Sequence, residues 1–549
     1  MQQFDDIEFK NALALNVFKS KYASNRYETW RERAHTIVDS VCGTQSGTKD
    51  PIMSKDDRDY LTECIANMKF MPGGRYIYYS GRQAAFWNNC YLLRLEDDTR
   101  EAWGEVAHRA MSCLMTGGGI GTDVSIARPS GKPLSRTGGV SSGPIPLLHC
   151  INEIGRNVMQ GGSRRSAMYG SLNWQHDDAD LFLEVKNWSE DVRALKEKDF
   201  NFPAPLDMTN ISLNYDDAFL KELADGHTPL TFTKNCHQAM QTGEPGFSFN
   251  FGDKENETLR NACTEITSED DSDVCNLGSI NLAAIDSIDE FKDVVRVASK
   301  FLVCGTIRAD LPYSKIADVR RRNRRLGLGL MGLHEWLLRR GYKYEMCEEL
   351  EKWLKVYQKE SERSANTHCD RLYLSRPKAY RAIAPTGTIS ILACTTSGIE
   401  PIYATAFKRR YLSDGTRWKY EYVVDQTADY LIQNGVKADS IETAFDLAND
   451  PERRIKFQYD VQRYVDHGIS STLNLPAWGT DANNEDRVED FAKIVSKYAR
   501  GLRGLTFYPD GSRGGQPITA VPYEEAAAKR GVVYEDHSEE QCLTGVCGI

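Results

Sequence analysis

The sequence lacks the features that mark secreted and membrane proteins. Its 14 cysteines among 549 residues are too few for a disulfide-rich scaffold, so most of them are expected to be small core residues in a reducing compartment. No run of about 18 apolar residues occurs, and the acidic start Met1-Gln-Gln-Phe-Asp-Asp carries no apolar signal-peptide core. We therefore expect a cytoplasmic protein with no membrane partner.

An excess of basic residues is also missing. Lys and Arg number 68 against 78 Asp and Glu, a formal charge of −10, which argues against nucleic acid as a partner but leaves room for local phosphate sites. With 41% apolar and 27% charged residues the chain resembles soluble globular proteins. The length would allow several domains, but no repeat, low-complexity tract or Pro/Gly/Ser linker divides it.

Common catalytic motifs are absent as well. The sequence has no GxxxxGK[ST], no HExxH and no pair of CxxC motifs, so P-loop, zincin and common zinc-fold functions lose their support and no metal site is predicted. Gly327-Leu-Gly-Leu-Met-Gly332 matches the dinucleotide pattern GxGxxG, but it follows the arginine run 320–325 instead of a buried strand. We interpret it as a close-packed helix, with the arginines on a solvated face.

What the chain does contain is an alternation of short β-branched or aromatic runs with longer helical patterns. This alternation predicts an α/β architecture after a mostly helical stretch that ends near residue 70. Strands are predicted at residues 89–93, 229–233 and 504–508, and helices at 27–34, 37–41, 289–298, 349–357 and 523–530.

One short segment carries a chemical set. Asn261, Cys263 and Glu265 stand at alternate positions, so in an extended segment their amide, thiol and carboxylate would share one face. A thiol can form a radical or a nucleophile, a carboxylate can accept a proton from a hydroxyl, and an amide can hold neighbouring hydroxyls. By itself the spacing also fits an ordinary strand with chance alternation.

Four more cysteines lie in settings unlike core packing. Cys90 and Cys275 each stand at the start of a predicted strand, and only the fold could bring them together. Cys542 and Cys547 lie in a polar C-terminal tail, where they could form or exchange a disulfide and carry electrons to a buried site.

The run Ala384-Pro-Thr-Gly-Thr-Ile-Ser390 predicts a phosphate-binding loop. It places three hydroxyls and a glycine before an apolar run, and a loop of this kind at a helix start offers N–H groups and the positive end of the helix dipole to an anion. An ordinary capped turn would explain the same residues equally well.

Taken in order, these segments resemble the catalytic subunit of ribonucleotide reductases, and most closely the adenosylcobalamin-dependent class II. The resemblance covers nearly the whole chain. Its segments are Asn88-Asn-Cys-Tyr, Gly117-Gly-Gly-Ile-Gly, Ser142-Gly-Pro, Gln160-Gly-Gly-Ser-Arg-Arg, Asn210-Ile-Ser-Leu, Asn261-x-Cys-x-Glu, Cys275-Asn-Leu, Asn323-Arg-Arg-Leu-Gly-Leu-Gly-Leu-Met-Gly, Pro385-Thr-Gly-Thr-Ile-Ser, Ser397-Gly-Ile-Glu-Pro, Ser470-Ser-Thr-Leu-Asn-Leu-Pro and the CxxxxC tail.

The resemblance implies a ten-stranded α/β barrel of two half-barrels with a central finger loop. It divides the chain into an N-terminal helical region (residues 1–72), the catalytic barrel (73–520), and a C-terminal helix with a redox-active tail (521–549).

The resemblance also implies a role for each residue of the site. Cys263 would form the thiyl radical that removes the ribose 3′ hydrogen, Glu265 would take the 3′-hydroxyl proton, and Asn261 would orient the hydroxyls. Cys90 and Cys275 would reduce the substrate and become a disulfide. Cys542 and Cys547 would re-reduce that pair, with thioredoxin or glutaredoxin as their partner. The phosphate loop would comprise Pro385, Thr386, Gly387, Thr388, Ile389 and Ser390.

The source of the radical is predicted from Gly504-Leu-Thr-Phe-Tyr-Pro. Oxygen-dependent members of the family pass the radical through two adjacent tyrosines in this strand, and here Phe507 replaces one of them. The resemblance therefore implies adenosylcobalamin as the cofactor. The alternatives are an oxygen-dependent class I large subunit that needs a ferritin-like partner, and a non-catalytic nucleotide-binding or thiol-redox protein.

The resemblance further implies a nucleotide effector that acts allosterically. The long insertion of the monomeric class II form is not found here, which suggests a homodimer with residues 196–207 as the effector loop.

Overall fold

The computed structural model describes residues 9–44, 51–135, 138–158, 166–199, 202–413, 417–512, 518–530 and 532–535. The helices in these ranges are α1 (Ala12–Lys21), α2 (Trp30–Cys42), α3 (Lys55–Ala66), α4 (Gly74–Tyr79), α5 (Arg100–Met115), α6 (Ile145–Asn157), α7 (Ala179–Glu184), α8 (Glu190–Lys198), α9 (Asp217–Ala224), α10 (Leu230–Thr242), α11 (Ile288–Arg308), α12 (Ser314–Asn323), α13 (Leu333–Arg339), α14 (Glu348–Arg371), α15 (Gly387–Ala393), α16 (Gln426–Gln433), α17 (Ala444–Ala448), α18 (Pro451–Gln462), α19 (Val488–Ala499) and α20 (Tyr523–Ala528).

The strands alternate with these helices, as the sequence predicts. They are β1 (Phe70–Pro72), β2 (Cys90–Arg94), β3 (Gly119–Asp123), β4 (Met168–Asn173), β5 (Thr209–Tyr215), β6 (Gly246–Phe249), β7 (Leu259–Arg260), β8 (Thr267–Ser268), β9 (Asp273–Asn281), β10 (Leu326–Met331), β11 (Ala406–Ser413), β12 (Arg417–Val424), β13 (Thr472–Leu475), β14 (Gly504–Pro509), β15 (Ile518–Ala520) and β16 (Val533–Glu535).

The main sheet consists of two sets of parallel strands that meet at two antiparallel seams, and the short strand β1 is added antiparallel to β9. In the described part of the chain it has ten strands in the order β1-β9-β2-β3-β4-β5-β6-β14-β13, with β10 also paired to β9. Neighbours from β2 to β6 are parallel, as are the pairs β9/β10 and β13/β14. The pairs β2/β9 and β6/β14 are antiparallel. This arrangement agrees with the predicted division into two halves.

Single bridges continue the sheet beyond β10. Leu328 pairs in parallel with Arg381, and Ile383 pairs in parallel with Ile469, just before β13 begins. The bonds include Ala382 N–H to the Leu328 carbonyl (3.1 Å) and Ser470 N–H to the Ile383 carbonyl (2.8 Å). The hydrogen-bonded path therefore runs from β13 around to β10 and returns to the segment that enters β13.

Helices pack on one face of this sheet and a hairpin packs on the other. One apolar core joins β1, β9 and β10 to α2, α11, α13 and α14, and a second joins the remaining strands to α5, α6, α10 and α19. Because side chains alternate along a strand, Leu92 points away from Tyr91 and Leu93 of the second core. A small third cluster forms on that opposite face from Leu92, Leu259, Ile266, Leu277, Ala382 and Ala384.

The hairpin of this third cluster is formed by β7 and β8. Leu259 pairs with Ser268 and Arg260 pairs with Thr267, which leaves residues 261–266 as the connecting turn. Leu259 and Ile266 anchor the hairpin against the inner face of the β2/β9 seam. The fold therefore places the predicted chemical set inside the ring of strands.

A second sheet lies outside this path. Its order is β15-β11-β12-β16, so the segments that follow β14 pair with both edges of the β11/β12 hairpin. The helix predicted at residues 523–530 is α20. Within the described ranges, no helix is both long and apolar enough to cross a membrane.

Two sequence predictions of secondary structure and one of side-chain exposure are corrected. Residues 229–233 begin helix α10, because Pro229 fixes the extended residue before the first turn and Phe232 then packs in the core at helical spacing. The GxGxxG segment is strand β10 and its close approach is to a neighbouring strand segment, since a Cβ on Gly329 would lie 2.7 Å from the Ala382 carbonyl oxygen. Arg324 and Arg325 are buried, although the sequence predicted a solvated face.

Candidate active site

The turn 261–266 brings the predicted amide, thiol and carboxyl groups together by a route that the sequence did not predict. Instead of an extended segment it is a tight turn, in which Thr264 N–H donates to the Asn261 carbonyl at 2.9 Å. Thr264 has φ +68°, a left-handed conformation that is uncommon for a residue with a side chain. The predicted extended geometry was wrong, because strand β7 ends before Asn261 and strand β8 begins only after Ile266.

Two glycines give the turn its space. A Cβ on Gly121 would lie 1.7 Å from the Arg260 carbonyl oxygen, and a Cβ on Gly468 would lie 2.7 Å from the Thr264 carbonyl oxygen. Neither position can hold a larger residue without moving the hairpin, because contacts below about 3.0 Å displace the backbone. Gly121, the last glycine of the Gly117-Gly-Gly-Ile-Gly motif, therefore allows the hairpin to pack closely against the inner face of β3.

Hydrogen bonds from other elements fix the turn. Gly468 N–H donates to the Glu265 carbonyl at 2.7 Å, and Asn210 Nδ2 of β5 donates to the Ala262 carbonyl at 3.1 Å. The sequence motif that contains Asn210 carried no predicted role. An amide on the inner face of a strand, one position from the buried Ile211, was the feature that could have indicated it.

Asn261 connects the turn to Cys90. Its Nδ2 donates to Cys90 Sγ at 3.0 Å, and its Oδ1 accepts from Ile266 N–H at 2.9 Å. The side chain is fully buried. Both ends of the amide are therefore used to hold the turn at the β2/β9 seam.

Glu265 is a buried carboxyl with no ion-pair partner in the part of the chain that the structure describes. It is 1% exposed, and its Oε2 has no hydrogen-bond partner among the described residues. Burial raises the pKa of Glu265 to about 7, and the Asn261 side chain and a backbone hydrogen bond oppose this only in part. A carboxyl with this pKa can accept or release a proton near neutral pH.

Cys263 keeps its proton in this environment. Burial raises the pKa of the Cys263 thiol well above its ordinary value, and Glu265 and Cys90 add to the effect. A thiolate nucleophile needs the opposite shift, as found beside cations or at helix N-termini. Cys263 therefore fits a thiol that gives up a hydrogen atom better than one that attacks as an anion, and it and Thr264 are the partly exposed residues of the turn.

The fold opposes Cys90 and Cys275 across the β2/β9 seam. The two residues are direct Cα partners in this antiparallel pair. Such partners lie about 4.5–5.5 Å apart, within the span of about 4.4–6.8 Å that a disulfide requires. Cys90 is buried, and the side chain of Cys275 lies outside the described part of the structure.

The predicted phosphate loop leads into helix α15. Thr386 has φ +52°, and its Oγ1 accepts from Gly398 N–H at 2.8 Å. Ser390 Oγ lies 2.8 Å from Ser397 Oγ. Pro385 and Gly387 are exposed, Thr388 is partly exposed, and Ile389 is buried beneath them. The segment immediately precedes the helix and follows the bridge of Ile383 to Ile469, so the loop lies at the end of an inner strand segment.

Phe507 faces away from the hairpin. Its ring is 2% exposed and packs at centroid distances of 5.9 Å from Phe247 and 5.0 Å from Phe491. Tyr508, the next residue, is half-buried and points to the other face of β14. The position that Phe507 occupies is therefore an apolar contact with the outer helices.

Some of the residues predicted to be functional lie outside the part of the chain that the structure describes. Cys542, Cys547 and the motif at 160–165 are outside the described residues, as are residues 200 and 201 of the predicted effector loop. At the ends of that loop, Lys196 Nζ lies 2.5 Å from Asp207 Oδ2, and Asn152 Nδ2 of α6 donates to Asp207 Oδ1 at 3.2 Å. Over the described ranges, no group of three or more His, Cys, Asp or Glu side chains is arranged to hold a metal ion.

Known proteins share both the sequence and the fold. The family profile named "Ribonucleotide reductase, barrel domain" matches residues 88–241, 232–359 and 375–508. A relative from Mycobacterium tuberculosis named vitamin B12-dependent ribonucleoside-diphosphate reductase is 28% identical over 86% of this chain and 75% of its own length. A protein of the same name from Thermoplasma acidophilum is 27% identical over 83% of this chain and 66% of its own length.

A solved structure gives the same result for the fold. The Actinobacillus ureae class Id ribonucleotide reductase alpha subunit matches with a TM-score of 0.69 over 91% of this chain and 97% of that chain, at 17% identity. The family profile covers more than half of the chain, including the hairpin, both cysteines of the seam and the loop at 385–390. The chain belongs to the ribonucleotide reductase family.

Proposed function

We propose that the chain is an adenosylcobalamin-dependent ribonucleotide reductase, which converts ribonucleoside di- or triphosphates to 2′-deoxyribonucleotides through a thiyl radical on Cys263. The observation that carries this proposal is the turn 261–266, where a protonated thiol, a carboxyl with a pKa near 7 and a fixed amide meet two opposed cysteines. The names of the relatives from M. tuberculosis and T. acidophilum support the activity and the cofactor.

Glu265 and Asn261 act on the ribose hydroxyls in this proposal. The unpartnered Oε2 of Glu265 accepts the 3′-hydroxyl proton while the radical on Cys263 holds the 3′ hydrogen atom. Asn261 already uses Oδ1 within the turn, so its Nδ2, now on Cys90 Sγ, is the group that can turn to a substrate oxygen. Enclosure of the turn by the strands protects the radical from solvent.

Cys90 and Cys275 supply the two electrons of the reduction. One thiol hydrogen leaves with the 2′-hydroxyl as water, the second takes the place of that hydroxyl on C2′, and the two sulfurs join in a disulfide. The direct pairing of their Cα atoms supports this role, because such cross-strand neighbours lie within the Cα separation that a disulfide spans.

The tail cysteines Cys542 and Cys547 restore that pair by thiol–disulfide exchange, and thioredoxin or glutaredoxin then reduces the tail. The last described strand, β16, ends at Glu535, so the tail follows an edge strand of the second sheet. The chain divides into a helical region at 1–72, the barrel at 73–520 and the C-terminal segment at 521–549, with β1 of the first region paired to β9 of the second.

The loop 385–390 holds the substrate phosphates. Its exposed rim at Pro385, Gly387 and Thr388 gives an anion access to backbone N–H groups, while Thr386 and Ser390 fix the loop through Gly398 and Ser397. Local donors are needed because the net charge of the protein, −10, does not attract phosphates.

The residues around Cys263 fit adenosylcobalamin as the radical source. The chemistry that this cofactor supplies when bound is the removal of a hydrogen atom from a thiol. Cys263 and Thr264, the partly exposed residues of the turn, would face it. Phe507 is buried among aromatic side chains and lacks the phenolic hydroxyl that a radical relay from a second subunit would need at this position.

Regulation and assembly follow the same resemblance. We propose a homodimer in which the segment 196–207 binds a nucleotide effector. The ion pairs of Asp207 with Lys196 and Arg156 tie both ends of this segment to α6. Met111 and Met115 of α5, which packs beside α6, are exposed apolar residues that a second copy would cover.

The test is an anaerobic assay of the purified chain with adenosylcobalamin, a ribonucleotide and a dithiol, with no second subunit added. We expect formation of 2′-deoxynucleotide that depends on the cofactor. Absence of product in this assay, with turnover restored by a ferritin-like subunit and oxygen, would transfer the proposal to the class I alternative. Binding of nucleotide without turnover under either condition would favour the non-catalytic alternative.

A further inference from the structure

A cluster of charged side chains, with two buried arginines around the half-buried Glu257, lies at the base of the β7/β8 hairpin. Glu257, two residues before β7, receives Arg325 Nη1 on Oε1 at 2.9 Å and Arg503 Nη2 on Oε2 at 2.9 Å. The side chains of Arg325 and Arg503 are only 2% and 8% exposed. We call this group, with Thr267 and His467, the hairpin-base cluster.

The cluster joins both strands of the hairpin to the surrounding fold. Thr267 Oγ1 of β8 donates to Glu257 Oε2 at 2.9 Å, and Thr267 N–H donates to His467 Nδ1 at 3.1 Å. Arg325 also pairs with Asp273 of β9 through Nε and Oδ2 at 2.9 Å. The hairpin is thereby tied to β9 and to the segments that enter β10, β13 and β14.

Opposite charges keep the carboxylate of Glu257 ionised. Burial alone would raise its pKa, yet Arg503 and Arg325 hold the pKa of Glu257 well below its ordinary range. His467 stays neutral, because burial and the nearby Arg325 lower its pKa well below the ordinary value. Other charges that face Glu257 are Lys254 on its own segment and, through Arg325, Asp273 of β9.

The hairpin depends on contacts with the surrounding strands to hold its position. Its ladder consists of two residue pairs, and a short two-stranded ribbon is marginally stable without outside contacts. The turn that carries Cys263 begins one residue after Arg260 and ends one residue before Thr267. A shift at the base is therefore passed directly to the thiol.

We propose that Glu257 and Arg503 are positioning residues, which fix the hairpin so that Cys263 stays aligned with Glu265 and the Cys90–Cys275 pair. The role rests on the proposed function of Cys263. A misplacement of about 1 Å can lower a reaction rate by about 100-fold. Substrate phosphates bind elsewhere, on the loop 385–390, so loss of the ion pairs should lower kcat and leave KM nearly unchanged.

Glu257→Gln tests the proposal with little change of shape. The amide can still accept from Thr267, but Arg325 and Arg503 lose a buried partner. We expect kcat to fall by about 10- to 100-fold, KM to change by less than about twofold, and the rate of alkylation of Cys263 in the resting protein to change by at least about fivefold. Peptide mass spectrometry with iodoacetamide measures that alkylation.

The matched control is Glu28→Gln, which breaks another buried ion pair, with Arg33 at 2.7 Å and side chains 9% and 0% exposed, in the N-terminal helices. It should lower the melting temperature while leaving kcat and Cys263 alkylation at wild-type values. Arg503→Lys should recover part of the kcat that Arg503→Met loses, because lysine restores the charge. If Glu257→Gln does not fold, Thr267→Val, which removes one hydrogen bond, replaces it with a smaller expected loss of kcat.

The proposal is overturned if Glu257→Gln behaves as Glu28→Gln does, with reduced stability but unchanged kcat and Cys263 alkylation. It is also overturned if Arg503→Lys and Arg503→Met are equally impaired. Failure of the proposed function is distinguishable, because it would leave the wild-type protein without deoxynucleotide product, whereas the alkylation of Cys263 would still report on the position of the hairpin.

Discussion

Glu265 allows a quantitative test of the site. Its carboxyl is 1% exposed, its Oε2 accepts no hydrogen bond from any residue that the structure describes, and burial raises its pKa to about 7. A group that takes a proton from the substrate must be ionised, so the kcat/KM of the wild-type protein should rise with pH through about 7. The perturbations are therefore pH itself and the variant Glu265→Gln, which cannot ionise.

The expected change in activity follows from the titration curve. A carboxyl with a pKa of about 7 is about 9% ionised at pH 6 and about 91% ionised at pH 8, which predicts a rise of about tenfold in kcat/KM. A glutamate with the ordinary value of 4.5 would already be about 97% ionised at pH 6, and the profile would be flat. Glu265→Gln should lose at least about 100-fold at every pH, the size of a general-base contribution.

The same pKa predicts that the stability of the folded protein falls with rising pH, whereas its activity rises. The folded-state pKa lies above the ordinary value of 4.5, so the folded protein favours the neutral acid. The stabilising contribution of the neutral Glu265 carboxyl is fully present below pH 4.5 and is lost as pH rises through about 7. The difference between these two pKa values corresponds to at most about 3 kcal/mol of unfolding free energy at pH 8. Glu265→Gln should therefore unfold at higher urea concentration than wild type at pH 8, with a smaller difference at pH 5.

Two measurements check this prediction. Single turnovers of the pre-reduced protein with adenosylcobalamin, from pH 6 to 8.5, give the activity profile, and urea titrations at pH 5 and 8 give the relative stability. A flat profile between pH 6 and 8 would refute the reasoning. Substantial activity of Glu265→Gln, or a Glu265→Gln protein less stable than wild type at pH 8, would refute it as well.

Three further predictions concern other parts of the site. Cys263→Ser should bind nucleotide with wild-type affinity in calorimetry and form no deoxynucleotide, because a serine hydroxyl does not yield its hydrogen atom as a thiol does; turnover in this variant would exclude a thiyl mechanism. Cys542→Ser should complete one turnover when pre-reduced and stop multiple turnovers with thioredoxin; equal loss of both would contradict the shuttle role. Gly121→Ala should lower kcat by at least about 100-fold, because its methyl group would displace the Arg260 carbonyl and with it the hairpin; Gly104→Ala, at a position with open space, is the control and should remain active.

The sequence predicted the chemical groups of the site better than their arrangement. Asn261, Cys263 and Glu265 do converge, but on a turn with Thr264 in a left-handed conformation, because strand register ends before the turn starts. Alternation alone could not distinguish an extended segment from this turn. The glycines that make room for it are visible in the sequence, yet only the fold reveals that Gly121 faces the Arg260 carbonyl.

Contacts between distant segments were not accessible to sequence reasoning. Cys90 and Cys275 meet because β2 and β9 belong to opposite sets of parallel strands and pair at a seam. The arginine run before β10 looked like a solvated face, since its spacing is that of a polar helix. Arg325 is instead buried against Glu257 and Asp273, two carboxylates distant in sequence.

Cys263 carries the radical in the proposed reaction. The most direct measurement is rapid-freeze EPR of the anaerobic protein with adenosylcobalamin and substrate, with cysteine deuterated at the β position. We expect a sulfur-centred radical signal whose hyperfine splitting narrows on deuteration and which is absent in Cys263→Ser. Deoxynucleotide formation without that signal, or with a radical located on a tyrosine, would contradict this role of Cys263.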